Sequence, residues 1–322
     1  MRDLIPLMAG TLATFSTGGA VQPVRTIVPV DPHEAFLGVM PAYLPPRERG
    51  GGAAESGEAL GLKAVAVYPG NAANDLPTHL ATILLLEPPT GALLAVLDGR
   101  LITEMRTAAV SAAATDRLAR RNARVLAILG AGVQARSHLA ALREVRPPAE
   151  TRVWSRTRAG AERFAAEMRD RFGVSVAVAA SAEGAVRGAD MVCTVTGSTT
   201  PVLEGSWLSP GTHLNAVGAA RPDWRELATD AVRRSRLFVD SRAGALSEAG
   251  DVVGPIREGA ITERHVVAEI GEVFAGRHAG REGDDEITLF KSLGMAVEDV
   301  ATARFAYARA QDRGIGEEIS LE

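Results

Sequence analysis

The spacing of apolar positions changes character near Asn122, and that change divides the chain. Ahead of it, residues 4–15 carry apolar side chains at helical spacing, starting abruptly after Met1. Residues 24–30, 36–43 and 62–68 alternate as half-buried strands do. Residues 81–86 and 93–97 make two more strands, separated by the turn Glu87, Pro88, Pro89, Thr90, Gly91. Five strands on short connections predict an antiparallel or mixed sheet. Residues 47–58, with three glycines in a row, read as a mobile surface loop. An Ala-rich helical pattern follows over 103–121.

Beyond Asn122, strand and helix patterns alternate. Strands are predicted at 125–129, 151–154 and 174–178, with helices at 133–145 and 158–172 between them. Ser181 with Glu183 starts a short helix, and further strands fall at 190–195, 213–217 and 237–239. A long helix is expected over 292–313, with Leu293, Ala296, Val297, Val300 and Phe305 on one side. The alternation predicts an α/β fold, with a doubly wound parallel (Rossmann) sheet. We expect this cofactor domain, residues 114–294, to be inserted into a β-rich α+β domain for substrate and dimerisation. That second domain combines residues 1–113 with 295–322. No internal repeat is visible.

Composition narrows the function. At 46% hydrophobic and 23% charged, 322 residues can bury the cores of two domains. Aromatics make up only 4% while Ala and Gly abound, which suits the tight turns and close helix–sheet packing of α/β proteins. The net charge of −4 is spread along the chain, so neither nucleic acid nor an anionic membrane surface is an expected partner. No apolar run of membrane-spanning length and no signal peptide is visible, which makes a cytoplasmic enzyme the expectation. The single Cys193 excludes an intrachain disulfide and reads as a buried strand thiol. No His, Asp or Glu cluster has metal-ligand spacing, so no metal is expected. A serine hydrolase lacks its G-x-S-x-G turn.

The chemistry starts at Gly130, Ala131, Gly132, Val133, Gln134, Ala135. This G-x-G-x-x-A run follows a predicted strand and opens a predicted helix, the setting in which it holds a dinucleotide pyrophosphate. Gly130 permits the tight turn, and Gly132 lets the phosphate approach the backbone. Near the end of the next strand, an NAD site carries an acid for the ribose 2′-hydroxyl. Here Ser155, Arg156 and Thr157 offer a cation and two hydroxyls, which favours NADP(H), with NAD(H) as the alternative. Arg156 as a plain solvated residue stays open.

Three cations sit where ordinary surface logic does not place them. Arg25 and Lys63 fall within predicted strands, and Arg106 opens the Ala-rich helix. Together they can grip a carboxylate, although strand cations usually point to solvent. Asp240 ends the strand Leu237, Phe238, Val239, where ligands of such sheets bind, and otherwise reads as a cap or turn residue.

Longer stretches carry a family likeness. They include Gln22 to Thr26, Leu37 to Tyr43, Arg106 to Ala112, Gly130 to Ala135, Asn215 to Ala219, Arg221 to Leu227, Val239 to Ser241 and Phe290 to Asp299. By these the chain resembles the ornithine cyclodeaminase/mu-crystallin family over nearly its whole length. The resemblance implies a homodimer joined through the β-rich domain. It implies that Arg25, Lys63 and Arg106 hold a substrate carboxylate, with Lys63 near the reacting carbon–nitrogen bond. Asp240 resembles the base of the cyclodeaminases, and Glu248 a ligand-facing acid. Thr78, His79, Arg106 and Thr107 are expected on the cofactor side. Thr196, Val217, Gly218 and Ser292 complete that set.

The resemblance also separates two branches. Cyclodeaminases carry a glutamate shortly before the dipeptide matching Met40-Pro41, where this chain has Leu37, Gly38, Val39. With Arg156, this implies an NADPH-dependent reductase of cyclic ketimine carboxylates, of the pyrroline- or piperideine-2-carboxylate type. Its products would be cyclic imino acids such as proline or pipecolate. The alternatives are cyclodeamination of L-ornithine with bound NAD, alanine-dehydrogenase-like reductive amination, and a non-catalytic ligand-binding role. Members of the family usually carry a further element ahead of the segment matching Asp3 to Pro6, and the short N-terminus here departs from that pattern.

Overall fold

The computed structural model describes residues 1–46, 57–74 and 76–320. Most of the loop expected at 47–58 lies outside them. Helix α1 (Leu4–Ser16) precedes a five-stranded sheet of β1 (Thr26–Val30), β2 (Ala35–Leu44), β3 (Ala59–Val67), β4 (His79–Leu86) and β5 (Leu93–Asp98). The strands pair in chain order, each antiparallel to the next. Alternation splits the sheet into two faces. One buries Met40, Ala42, Leu44, Ile83 and Leu85, while the other leaves Leu37, Leu80 and Val96 exposed.

Helix α2 (Gly99–Leu118) starts where the Asp98 carboxylate accepts from the Arg100 N–H at 2.7 Å. It therefore starts earlier than its apolar pattern suggested, and Arg106 lies two turns inside it. Its buried alanines, Ala108, Ala109, Ala112, Ala113 and Ala114, leave room for neighbouring helices on both sides.

The alternating part follows. Strand β6 (Val125–Leu129), helix α3 (Val133–Val145), β7 (Glu150–Trp154), α4 (Arg158–Phe172) and β8 (Ala177–Val178) wind in one direction. The chain then crosses back through α5 (Ala182–Val186) to β9 (Met191–Thr194) and β10 (His213–Ala216). Next come α6 (Thr229–Arg233), β11 (Arg236–Val239), α7 (Arg242–Glu248), α8 (Gly250–Arg257), β12 (Val266–Glu269), α9 (Ile270–Phe274) and β13 (Thr288–Lys291). All eight strands are parallel, in the order β12-β11-β13-β10-β9-β6-β7-β8. The winding reverses between β6 and β9, and ligands of such sheets bind outside the carboxyl ends at that crevice. Cys193 is buried in β9.

Two strands, β12 and β13, had no sequence counterpart. Each has only four residues, and β13 slots between β10 and β11 although it is last in the chain. The final helix, α10 (Ala296–Arg313), starts four residues later than its apolar side suggested, because Gly294 turns with φ +80°. It packs across β2, β3 and β4 and against α1 and α2, closing the buried face of the first sheet.

Candidate active site

Three cations meet at the turn between β13 and α10. Lys63 projects from the buried face of β3 and is 2% exposed; Arg106 is 3% exposed. One carboxylate joins them: Asp299 lies 2.5 Å from Lys63 Nζ and accepts from Arg106 Nε at 2.8 Å. Arg106 Nη1 also donates to Glu298 Oε2 at 2.6 Å. Arg25, just ahead of β1 rather than within it, donates from Nη2 to the Gly294 carbonyl at 2.8 Å and pairs through Nε with Glu248 at 3.0 Å. Gly294 has no room for a side chain, because a Cβ there would strike the Arg106 guanidinium. Among the described residues, Arg106 Nη2 and Arg25 Nη1 donate no hydrogen bond.

Burial pushes the Lys63 ammonium down to about 8, although Asp299 supports its charge. Arg106 and Arg25 add to the lowering. His79 starts β4 on the same face as Lys63, with Thr78 Oγ1 3.0 Å from its Nδ1. Burial and then the Lys63 charge lower its imidazole pKa.

Asp240 follows β11 and is fully buried. One oxygen accepts from the N–H groups of Leu293 (2.6 Å) and Gly294 (2.8 Å), the other from Ser241 (2.8 Å). Burial raises its pKa, and the three N–H donors hold it back. Asp240 thereby fixes the turn that Arg106 and Arg25 touch. A cleft lined by Arg25, Met40, Asp240, Glu248, Leu293 and Gly294 opens here. Burial also raises the Glu248 carboxyl, opposed by Arg25.

Of the residues expected on the cofactor side, Thr78 and His79 lie at the start of β4 and Arg106 and Thr107 in α2, while those beyond Asn122 follow carboxyl ends of the parallel strands. Gly130 follows β6, Ser155 β7, Thr196 β9, Val217 and Gly218 β10, and Ser292 β13. Gly130 has φ +117°, and a Cβ there would meet the Val195 carbonyl. At Gly132 a Cβ would meet nothing within 4 Å, so the approach to the α3 N-terminus is open. The buried Gln134 Oε1 and Ser292 Oγ have no partner among the described residues. Arg156 and Thr157 are exposed beside the half-buried Ser155. These features fit a dinucleotide. Thr107 is buried in α2 and its hydroxyl donates to the Thr103 carbonyl at 2.6 Å.

Several supporting residues were not singled out from the sequence. Arg136 Nη1 donates to the carbonyls of Ala131 and Gly132, both at 2.8 Å, and its Nε pairs with Glu167. That pins the glycine turn from its carbonyl side. Glu226, fully buried, accepts from Thr194 Oγ1, from the N–H and hydroxyl of Thr196, and from the Gly218 N–H. Asp251 accepts from the Glu226 and Leu227 N–H groups and pairs with Lys291 at 3.0 Å. Glu226, Lys291, Glu298 and Asp299 all stood inside quoted motifs. The missed signal was charge at positions whose apolar neighbours mark a core.

Comparison with known proteins adds the family. The model of the ornithine cyclodeaminase/mu-crystallin family matches residues 1–314. The chain belongs to this family. It is 48% identical over 307 residues to the ketimine reductase mu-crystallin of Rattus norvegicus, covering 94% of this chain and 91% of the relative. A solved Δ1-pyrroline-2-carboxylate reductase of Thermococcus litoralis, in complex with NADH and L-proline, superposes with a TM-score of 0.93. It is 42% identical, over 99% of this chain and 95% of that one. An archaeal alanine dehydrogenase dimer with bound NAD gives a TM-score of 0.91 at 34% identity, covering 100% of this chain and 95% of that one.

Proposed function

We propose that the protein reduces cyclic ketimine carboxylates, of the pyrroline- or piperideine-2-carboxylate type, with NADPH. The observation that carries this reading is the cluster itself. Arg25 and Arg106 meet at the 293–294 turn, by the carboxyl ends of β11 and β13, Lys63 joins them through Asp299, and among the described residues Arg106 Nη2 and Arg25 Nη1 donate no hydrogen bond. Membership of a family that includes ketimine and pyrroline-2-carboxylate reductases supports it.

Arg25 and Arg106 hold the substrate carboxylate by charge-assisted hydrogen bonds, and this orients the imine carbon. The dinucleotide supplies hydride to that carbon. Lys63, at about 8, keeps a dissociable proton beside the carbon–nitrogen bond at neutral pH. Asp240, tied to three N–H groups, holds the turn under the clamp. Gly130 to Gln134, Thr196, Val217, Gly218 and Ser292 hold the dinucleotide, with Thr78, His79 and Thr107 on the same side. Arg156, with Ser155 and Thr157, selects the 2′-phosphate of NADP(H) over NAD(H).

The two sheets divide the work, with residues 114–294 taking the dinucleotide and 1–113 plus 295–322 the substrate. The protein acts as a homodimer joined through the outer face of the first sheet. Val28, Leu37, Leu80 and Val96 are 37–56% exposed there, a large apolar surface for a lone chain. No helix of the described residues is long and apolar enough to cross a membrane. We place the protein in the cytoplasm, a setting that suits the lone, buried Cys193.

The test is an NADPH and NADH oxidation assay over cyclic imino acids, and over 2-oxo acids with amines. Turnover of a cyclic imino acid with NADPH preferred is the expected result. Ammonia release from L-ornithine without added reductant, and no imine turnover, would move the protein to the cyclodeaminase branch.

A further inference from the structure

The charges around the clamp do not balance. Three cations, Arg25, Lys63 and Arg106, face four carboxyls, Asp240, Glu248, Glu298 and Asp299. The groups facing Glu298 come from every side. Arg106 reaches it from α2, Asp240 from the end of β11, and Asp299 from its own helix. Lys63 on β3 stands on Asp299, Arg25 and Glu248 close the outer rim, and His79 on β4 faces Lys63. With every acid ionised the cluster carries one excess negative charge before any ligand arrives. A substrate carboxylate would make it two, in a region where Lys63, Arg106, Asp240, Glu298 and Asp299 are all at most 3% exposed. Uncompensated charge in such surroundings is costly enough that a group changes protonation instead.

Among the fully buried carboxyls, one can do so without breaking an existing bond. Glu298 Oε2 accepts from Arg106 Nη1 at 2.6 Å and from the Met295 N–H at 3.3 Å. Its Oε1 is buried and has no partner among the described residues. Asp240 engages both oxygens with N–H donors, Asp299 spans two cations, and Glu248 is half-buried against Arg25. A proton on Glu298 Oε1 leaves the bond to Arg106 in place, since Oε2 still accepts.

We propose that Glu298 takes up a proton when the substrate carboxylate seats on Arg25 and Arg106, so that the site binds an anion and a proton together. Glu298 is a positioning residue on this account, acting through Arg106, and the inference rests on the carboxylate-clamp reading above. Burial pushes its carboxyl up to about 7 against the pull of Arg106, with Asp240 and Asp299 adding to the rise. An arriving anion pushes the same way. The site then favours an anionic imine most where protons are also available for the reduction, which consumes one.

The probe is pyrrole-2-carboxylate, a planar ring acid that stays a monoanion across neutral pH. Proton uptake on binding is read by a pH indicator in weak buffer, and by calorimetry in two buffers of different ionisation enthalpy. Near pH 7.5 Lys63 is still mostly charged, and roughly 0.5–0.8 proton per bound ligand is expected. Above about pH 7 the Kd rises by up to about tenfold per pH unit. Glu298→Gln keeps an oxygen for Arg106 and cannot titrate, so it loses the uptake and flattens the Kd profile. Binding without uptake in the parent protein, or uptake that survives in Glu298→Gln, overturns the inference and leaves the clamp standing. If the probe does not bind at all, the clamp reading falls and this inference with it. Should Glu298→Gln not fold, infrared difference spectroscopy on the parent protein decides: a protonated-carboxyl band gained on binding supports the inference, and no such band overturns it.

Discussion

Arg106→Ala tests the clamp most directly, and its effect divides into two parts. In the folded protein Arg106 satisfies Glu298 at 2.6 Å and Asp299 at 2.8 Å, all out of contact with water. Breaking a buried ion pair from one side costs about 3–5 kcal/mol, mostly for the charge left behind. Here the remainder is softened. Glu298, already at about 7, goes neutral, and Asp299 retains Lys63. The low end, about 3 kcal/mol, is therefore expected in a urea unfolding curve. The second part is functional. Loss of charge-assisted hydrogen bonds to the substrate is worth about 1.5–3 kcal/mol, or roughly ten- to hundredfold in kcat/KM. KM should rise and kcat should fall, because the same contact places the imine carbon. Arg106→Lys keeps a charge for the carboxylates but not the planar fork, so it should recover stability more than activity. Both parts are read on protein shown to be folded by circular dichroism. A folded Arg106→Ala protein with kcat and KM within about twofold of the parent would refute the clamp assignment.

Three further outcomes follow from the same geometry. Lys63 is charged below about 8 and loses its proton as pH rises through that value, so kcat/KM should fall on the alkaline side with a midpoint near 8. In Lys63→Arg the charge persists, and a midpoint that stays near 8 would show that another group sets it. Arg156→Ala should raise the KM for NADPH by about ten- to hundredfold and leave that for NADH nearly unchanged; an equal effect on both cofactors would remove Arg156 from 2′-phosphate recognition. Val96→Asp places a charge on the outer face of the first sheet, where Val96 is 56% exposed, and sedimentation should then report a monomer; an unchanged dimer would put the interface elsewhere.

Much of the architecture could be read from periodicity because most elements advertise themselves locally. The bounds of β6, α3 and α4 agree with their apolar patterns. The glycine turn was equally local, since a strand, a φ +117° glycine and a helix start are adjacent in the chain. Elements defined by distant partners were harder. Strand β13 has four residues and earns its place only through β10 and β11 on either side. The start of α10 is set by Asp240, more than fifty positions away, which accepts from the N–H groups of Leu293 and Gly294 and so holds the turn out of the helix.

The same distinction explains what the sequence reading left out of the site. A lysine in a strand points to solvent unless something inside neutralises it, so Lys63 by itself argued for a surface position. Its counter-ion is Asp299, which also holds Arg106, and no local pattern links residues 63, 106 and 299. Reading the three as a unit reverses the inference for each. A buried cation is improbable alone, and so is a Glu298-Asp299 pair with both side chains fully buried, but together they satisfy one another. The satisfaction is incomplete in one respect. The acids outnumber the cations by one, and among the described residues the buried carboxylate oxygen of the cluster with neither a hydrogen bond nor an ion pair is Glu298 Oε1. Charge buried this deeply adds little to stability over a well-packed apolar core. Its retention at the carboxyl ends of β11 and β13 is therefore better explained by what the site must bind than by what the fold requires.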